Sequence, residues 1–300
     1  MNVSQQTILI AGGTGLIGQY LKRTLEQKKV SVRILTRNPS KKNEYYWDPI
    51  KKEIEKTAFE NVTVLINLSG AGIADGRWTS NRKKELEDSR VQANTFLFSQ
   101  ISNMPSLKHF ISASGINAYT PNQEMELTED SSYGQDFLSS LTRKWEESAL
   151  LFSSHVKVSI IRTAVVLSSK GGAYPKLASL TKFGLGSGLG TGKQPIPWIH
   201  ISDLTNIYVH MIEKELGGTF NAVATCTPNK EFMRQLAFTL KKPFFLPNVP
   251  GWAMKLLLGE MSTMLLDGVR ASNQKLRDTG FSFVYDELQT ALEQLSNGSE

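Results

Sequence analysis

The sequence predicts an α/β fold, a doubly wound parallel sheet with a small C-terminal substrate or cap domain, on three observations. Short apolar runs alternate with helical segments from Thr7 to Leu167. A glycine cluster sits at the first strand-to-helix junction, Gly12 to Gly18. After Leu167 the texture changes to glycine- and proline-rich.

The elements follow in order. Thr7-Ile-Leu-Ile-Ala11 is a continuous apolar run, which is how a strand buried on both faces reads. Leu16 to Gln27 places Leu16, Ile17, Tyr20, Leu21 and Leu25 at helical spacing. Val30–Leu35, Asn61–Asn67, Lys108–Ala113 and Val156–Leu167 read as further strands, with helices over Arg82–Ile101 and Leu138–Phe152. Gly171 to Gly192, followed by Pro195 and Pro197, reads as a long loop. Asp203–Glu213 then reads as a helix and Gly218–Ala222 as one more sheet strand. Pro243, Pro247 and Pro250 precede an apolar helix at Trp252–Leu258. The expected organisation is a dinucleotide domain over residues 1–168, completed by 198–225, with 169–197 and 226–300 forming the cap.

Composition narrows the class. The chain has 300 residues, 40% of them hydrophobic, enough for one large domain or a domain with a cap. Its net charge of +6 is scattered in pairs such as Lys28-Lys29 and Lys241-Lys242, which argues against a nucleic-acid face. Cys226 is the one cysteine, so no internal disulfide forms, and no Cys/His spacing suggests a metal. Met1 to Gln6 is polar and short, unlike a conventional signal peptide, and no apolar run approaches the roughly 20 residues of a membrane span. The expectation is a cytoplasmic protein with a small-molecule substrate and neither nucleic acid nor membrane as partner.

Gly12-Gly-Thr14-Gly15-Leu16-Ile17-Gly18 lies between a buried strand and a helix, the context a dinucleotide fingerprint requires. Gly12 permits the tight turn, Gly15 lets backbone approach a pyrophosphate, and Gly18 lets the helix pack closely. At the end of the second strand NAD binders place Asp or Glu; this chain has Thr36-Arg37-Asn38. A guanidinium suits a 2′-phosphate, so the expected cofactor is NADP; otherwise Arg37 points into solvent. Asn67-Leu68-Ser69-Gly70-Ala71 offers small residues for close approach of an adenosine, or a plain turn.

Together with Ser89-Arg90, Ile161-Arg162-Thr163, Trp198-Ile-His-Ile-Ser-Asp203, Leu257-Leu-Gly-Glu260 and Gly280-Phe-Ser-Phe283, these motifs resemble the short-chain dehydrogenase/reductase superfamily. The subgroup is the atypical extended one, the NAD-dependent epimerase/dehydratase or nucleoside-diphosphate-sugar epimerase family, and the likeness runs nearly end to end. It implies a Rossmann domain. It also implies that Thr36 and Arg37 contact the ribose and its 2′-phosphate, that Leu68 and Ser69 line the adenosine site, and that Glu85, Arg90 and Thr163 complete the cofactor contacts.

The superfamily's Tyr-x-x-x-Lys pair is absent. Aligned through Trp145-Glu146, apolar residues near Leu138 stand at the tyrosine position and Thr142 at the lysine position. A lone tyrosine near pKa ~10 is a poor base at neutral pH. Ser114, ending the fourth strand, either holds a substrate oxygen or bonds its own turn. Tyr119 is the surviving member of a Gly-Tyr-Tyr-Gly common in the subgroup, a proton donor or a packing residue. Gly184 to Gly192 reads as a lid over the substrate cleft. His200 reads as structural, ahead of a helix cap at Asp203. The expected activity is that of an oxidoreductase or epimerase-like enzyme on a small polar or nucleotide-linked substrate. The rival is a non-catalytic NADP-binding sensor.

Overall fold

A computed structural model describes residues 5–298. Its strands are β1 (Thr7–Ala11), β2 (Ser31–Thr36), β3 (Glu44–Asp48), β4 (Glu53–Ile54), β5 (Val64–Asn67), β6 (His109–Gly115), β7 (Asn122–Leu127), β8 (Lys157–Thr163), β9 (Val165–Ser168), β10 (Gly171–Gly172), β11 (Pro195–His200), β12 (Gly218–Ala222), β13 (Thr225–Pro228) and β14 (Val269–Ala271). The helices are α1 (Leu16–Gln27), α2 (Ser80–Ser99), α3 (Phe137–Leu150), α4 (Ala173–Lys182), α5 (Ile201–Glu213), α6 (Asn229–Thr239), α7 (Gly251–Leu258), α8 (Thr263–Leu266), α9 (Gln274–Asp278) and α10 (Leu288–Ser296). Eight strands form the main sheet in the order β12-β8-β6-β5-β1-β2-β3-β4, parallel except for the terminal β3–β4 hairpin. This is a Rossmann-type doubly wound sheet, as the alternation of strands and helices predicts.

The continuous apolar strands resolve into two stripes of period two. Ile8 and Ile10 join a cluster with Leu21 and Leu25 of α1 and Ile207 and Met211 of α5. Leu9 and Ala11 face the other way, into a cluster with Phe96 and Leu97 of α2 and Phe152 after α3. Each such fully buried side chain contributes about 1.5–3 kcal/mol, so the sheet is held from both faces.

A second sheet, β10-β9-β11-β13, and a short β14–β7 ribbon make the rest. The expected single strand Val156–Leu167 divides at Ala164: β8 stays in the main sheet and β9 joins the second. β11 takes Pro195 and Pro197 because its parallel pairing to β9 begins only at Trp198, leaving one side of the prolines without a ladder. The expected loop Gly171–Gly192 contains α4, whose Tyr174, Ala178 and Thr181 are buried at helical spacing. The glycines flank that helix and hid its periodicity.

Two local expectations are corrected. The cap of α5 is His200, whose Nδ1 accepts from Ser202 N, while Nε2 bonds Gln294 Oε1 at 2.9 Å. Asp203 lies inside the first turn, where its two carboxylate oxygens accept from Val284 N and Tyr285 N, both at 2.9 Å. The run Gly184–Gly192 is not a free flap. Leu189 bridges Val249, Leu189 N donates to Asn229 Oδ1, and Gly188 lies so close to Asn248 that a Cβ would come within 2.5 Å of its side chain.

Burial also sets a pH dependence. His109, on β6, bonds Ser159 Oγ at 2.7 Å, and burial with help from Lys157 lowers its pKa to about 4. A histidine held neutral favours the folded state above its ordinary pKa of about 6.5, and that contribution is lost as pH falls toward about 4. Urea unfolding should therefore lose on the order of 3 kcal/mol from this side chain between those limits. His109→Asn should flatten that part of the profile; an unchanged slope would reject the assignment.

Candidate functional site

At the carboxyl end of the main sheet lies a cleft of about 770 Å³. Its floor is the β1–α1 turn against the segment leaving β5. Gly12 has φ +75°, and a Cβ there would meet Ser69 N at 2.7 Å and Leu68 C at 2.8 Å, so the two segments touch backbone to backbone. A Cβ on Gly18 would meet Gly13 Cα at 2.5 Å, which is why α1 can start so close to the turn. Gly15 differs: its φ is −73° and the nearest atom to a Cβ is Gly12 O at 3.3 Å. It caps α1 without any side-chain acceptor and with no acid in the first turn. The first N–H groups of the helix are thus open to an anion.

The walls come from three elements. Arg37 is exposed at the end of β2 and makes no hydrogen bond or ion pair among the described residues. Asn67 fixes the β5 loop by accepting from Ser69 N at 3.0 Å and Ser69 Oγ at 2.5 Å, while its Nδ2 donates to Asn94. One face of α2 supplies Asn81, Lys84, Glu85, Asp88 and Gln92. The tip of the β3–β4 hairpin, Trp47 to Ile50, closes the outer end.

Of the residues expected at a cofactor, Gly12, Thr14, Gly15, Thr36, Arg37, Leu68, Ser69, Gly70 and Glu85 line this cleft. Leu16, Ile17 and Gly18 lie in the first turn of α1 behind it. Thr163 stands at the end of β8, paired with Gly115 and Ala222. Arg90 is not in the lining but is a buried strut. It donates to Leu86 O at 3.0 Å and Ala71 O at 2.9 Å and stacks over the Trp145 ring at 4.9 Å. The hairpin wall was missed, although aromatic Tyr45-Tyr46-Trp47 ahead of Asp48-Pro49 is a strand-and-turn signal.

A second polar cluster lies at the ends of β6 and β8. Glu146 of α3 accepts from Ser114 Oγ (2.5 Å), from Tyr133 Oη (2.5 Å) and from Arg162 through two nitrogens (2.9 and 2.8 Å). Ser114, Glu146 and Arg162 are all buried, and Tyr133 is half-buried. Burial, then the bond to Glu146, pushes the Tyr133 phenol up to about 12. Burial lowers the Arg162 pKa, but the bonds to Glu146 more than offset this and hold the guanidinium charged. Tyr119 is 1% exposed, donates to Asn221 Oδ1 at 2.7 Å and lies under the Arg162 guanidinium at 4.9 Å. Its surroundings are those of a packing residue, and burial raises its phenol as well. Neither Ser114 nor Tyr119 is part of the cleft lining. Of the residues missed here, Glu146 and Arg162 carry one legible signal, charged side chains on elements otherwise read as apolar, and Tyr133 carries none.

Among the described residues no group of His, Cys, Asp and Glu could hold a metal ion, and no helix is long and apolar enough to cross a membrane.

The model of the NAD dependent epimerase/dehydratase family matches residues 8–141. The human epimerase family protein SDR39U1 is 32% identical over 295 residues, covering 96% of this chain and 99% of that protein. The chain belongs to the NAD-dependent epimerase/dehydratase family. The Arabidopsis thaliana relative, named as chloroplastic, is 33% identical over 306 residues, covering 96% of this chain and 86% of its own length, so a cytoplasmic location does not extend to every family member. Residues 249–295 match a domain of unknown function, DUF1731. A crystal structure of human SDR39U1 (isoform 2) with NADPH superposes with a TM-score of 0.89 at 30% identity, over 97% of this chain and 99% of that one. The nucleoside-diphosphate sugar epimerase from Corynebacterium glutamicum gives 0.80 at 26%, over 97% of this chain and 58% of that one.

The two family arginines should separate in a stability assay. Arg90→Met removes two carbonyl partners and a buried stack, for an expected loss of about 2–4 kcal/mol in denaturant unfolding. Arg37→Ala touches no protein partner and should stay within about 0.5 kcal/mol. Equal losses would contradict the roles given to them.

Proposed function

We propose that the protein is an NADP(H)-dependent oxidoreductase or epimerase-type enzyme acting on a small polar or nucleotide-linked substrate. The observation that carries this is the partnerless Arg37 guanidinium at the rim of the cleft that holds the uncapped start of α1. The donor set fits the dinucleotide: helix N–H groups for the pyrophosphate, a permanent cation for the 2′-phosphate, and no acid at the end of β2 to repel it. NADPH in the human SDR39U1 structure supports the same reading. The division into a dinucleotide domain, residues 1–168 with 198–225, and a substrate region goes with it.

Bound there, the cofactor would supply or take up a hydride. The chain's own part is to place substrate and move a proton. We assign that to Ser114 in place of the missing Tyr/Lys pair. Its hydroxyl donates to Glu146, so its free lone pairs accept; a substrate hydroxyl donating to Ser114 Oγ would pass its proton along the bond already made to Glu146 Oε1. Arg162 holds Glu146 in place, and Tyr119, stacked under Arg162, acts as a positioning residue. The sensor reading rests on the same missing pair and on the Tyr119 hydroxyl being committed to Asn221.

Calorimetry should give NADPH at least about a tenfold preference over NADH, about 1.4 kcal/mol, with Arg37→Ala abolishing it. Gly15→Val, whose Cβ meets no backbone closer than 3.3 Å, should lose binding with an unchanged circular dichroism spectrum. Equal affinities for the two dinucleotides would refute the NADP assignment.

In a substrate panel read by NADPH oxidation, Ser114→Ala and Glu146→Gln should each cost about a hundred- to ten-thousand-fold in kcat, and Tyr119→Phe less. Brisk turnover unaffected by the first two would remove the proposed proton path. No turnover on any substrate, with a partner protein recovered only when NADP(H) is bound, would favour the sensor.

A further inference from the structure

The β3–β4 hairpin lies at the outer edge of the sheet, paired to the rest of it through β3 and β2. Its tip is stiff. Asp48 Oδ1 accepts from Ile50 N at 2.9 Å and Lys51 N at 3.2 Å, Lys52 takes a left-handed φ of 56°, and Trp47 anchors the tip in the core. On that stiff support the chain leaves Ile50 74% exposed at the rim of the cleft, beside Pro49. A large apolar side chain held in water over a binding cleft is a surface whose cost is relieved when something flat and apolar covers it.

Another wall of the same cleft is of opposite character. Asn81, Lys84, Asp88 and Gln92 lie three, four and four residues apart along α2, one face of the helix, and all are polar. The cleft therefore has apolar side chains for a ring face and hydrogen-bonding ones for a ring edge. That is the chemistry of a heteroaromatic base, and the same cleft holds Arg37, the cation suited to the 2′-phosphate of the nucleotide that carries such a base.

We infer that the hairpin tip is a base clamp, with Ile50 and Pro49 covering the adenine face of the dinucleotide. This rests on the reading of the cleft as an NADP(H) site. The clamp adds affinity through the base alone and through contacts separate from the glycine turn and Arg37.

The test is calorimetry with three probes: NADPH, adenosine 2′,5′-bisphosphate, which keeps base and 2′-phosphate, and nicotinamide mononucleotide, which keeps neither. Ile50→Ser should weaken the first two about tenfold and leave the third unchanged, the loss expected for one exposed apolar contact. Ile50→Phe should restore or tighten both. The side chain is exposed, so neither change threatens the fold. If Ile50→Ser leaves NADPH and the bisphosphate unchanged while Arg37→Ala and Gly15→Val weaken them, the clamp is refuted and the dinucleotide site stands. If none of the three variants weakens NADPH binding, both readings fall.

Discussion

The buried pair of Glu146 and Arg162 is the constraint on which the junction of this molecule depends. Removing both charges from water is costly, and the pair persists because every strong donor and acceptor around it is answered. Arg162 gives two nitrogens to Glu146 and a third to Glu129 O; Glu129 Oε1 holds Asn221 N; Asn221 holds Tyr119 Oη and, through Nδ2, Ser272 O. One connected network thus joins α3, two neighbouring strands of the main sheet and the segment after β14. Losing one member strands the others, so the network is specific as well as stable.

The two candidate centres are built on different physics. The cleft is a matter of backbone: close contact at Gly12 and Gly18, an uncapped helix start, and Arg37, an exposed cation without an ion-pair partner among the described residues. The Ser114–Glu146 cluster is a matter of buried side chains, where low dielectric strengthens each bond. The first must exchange a ligand and is open. The second must hold a geometry, and its Ser114, Glu146 and Arg162 side chains are buried.

This difference explains what could be read from the chain. The strand–glycine–helix junction and Arg37 were legible because their chemistry is local, set within a few residues by turn geometry and charge. So was the burial of β1 on both faces, from its continuous apolar run. The hairpin at 44–54 escaped notice because β4 is only two residues long and gives the aromatic run of β3 no visible partner, α4 because glycines flank it, and the split at Ala164 because an apolar run does not say which sheet each half joins. Glu146, Arg162, Tyr133 and Asn221 are scattered through the sequence and meet only in the fold. Arg90 shows the converse: by itself it reads as a helix-surface charge, yet the fold buries it against two carbonyls and an indole ring.

The β7–β14 ribbon has a consequence for how the chain is made. It pairs Asn122 with Val269 and Leu127 with Ala271, so a segment that emerges early from the ribosome waits for one that emerges near the end. The main sheet can assemble once β12 has been synthesised, but the wall beside Tyr119 and Tyr133 cannot close until most of the C-terminal region has appeared. Such long-range pairing slows the last stage of folding and leaves the half-built site open to solvent in the meantime. Completion of this ribbon is therefore a late event, and a chain truncated before Val269 would carry the main sheet without the β7–β14 pairing.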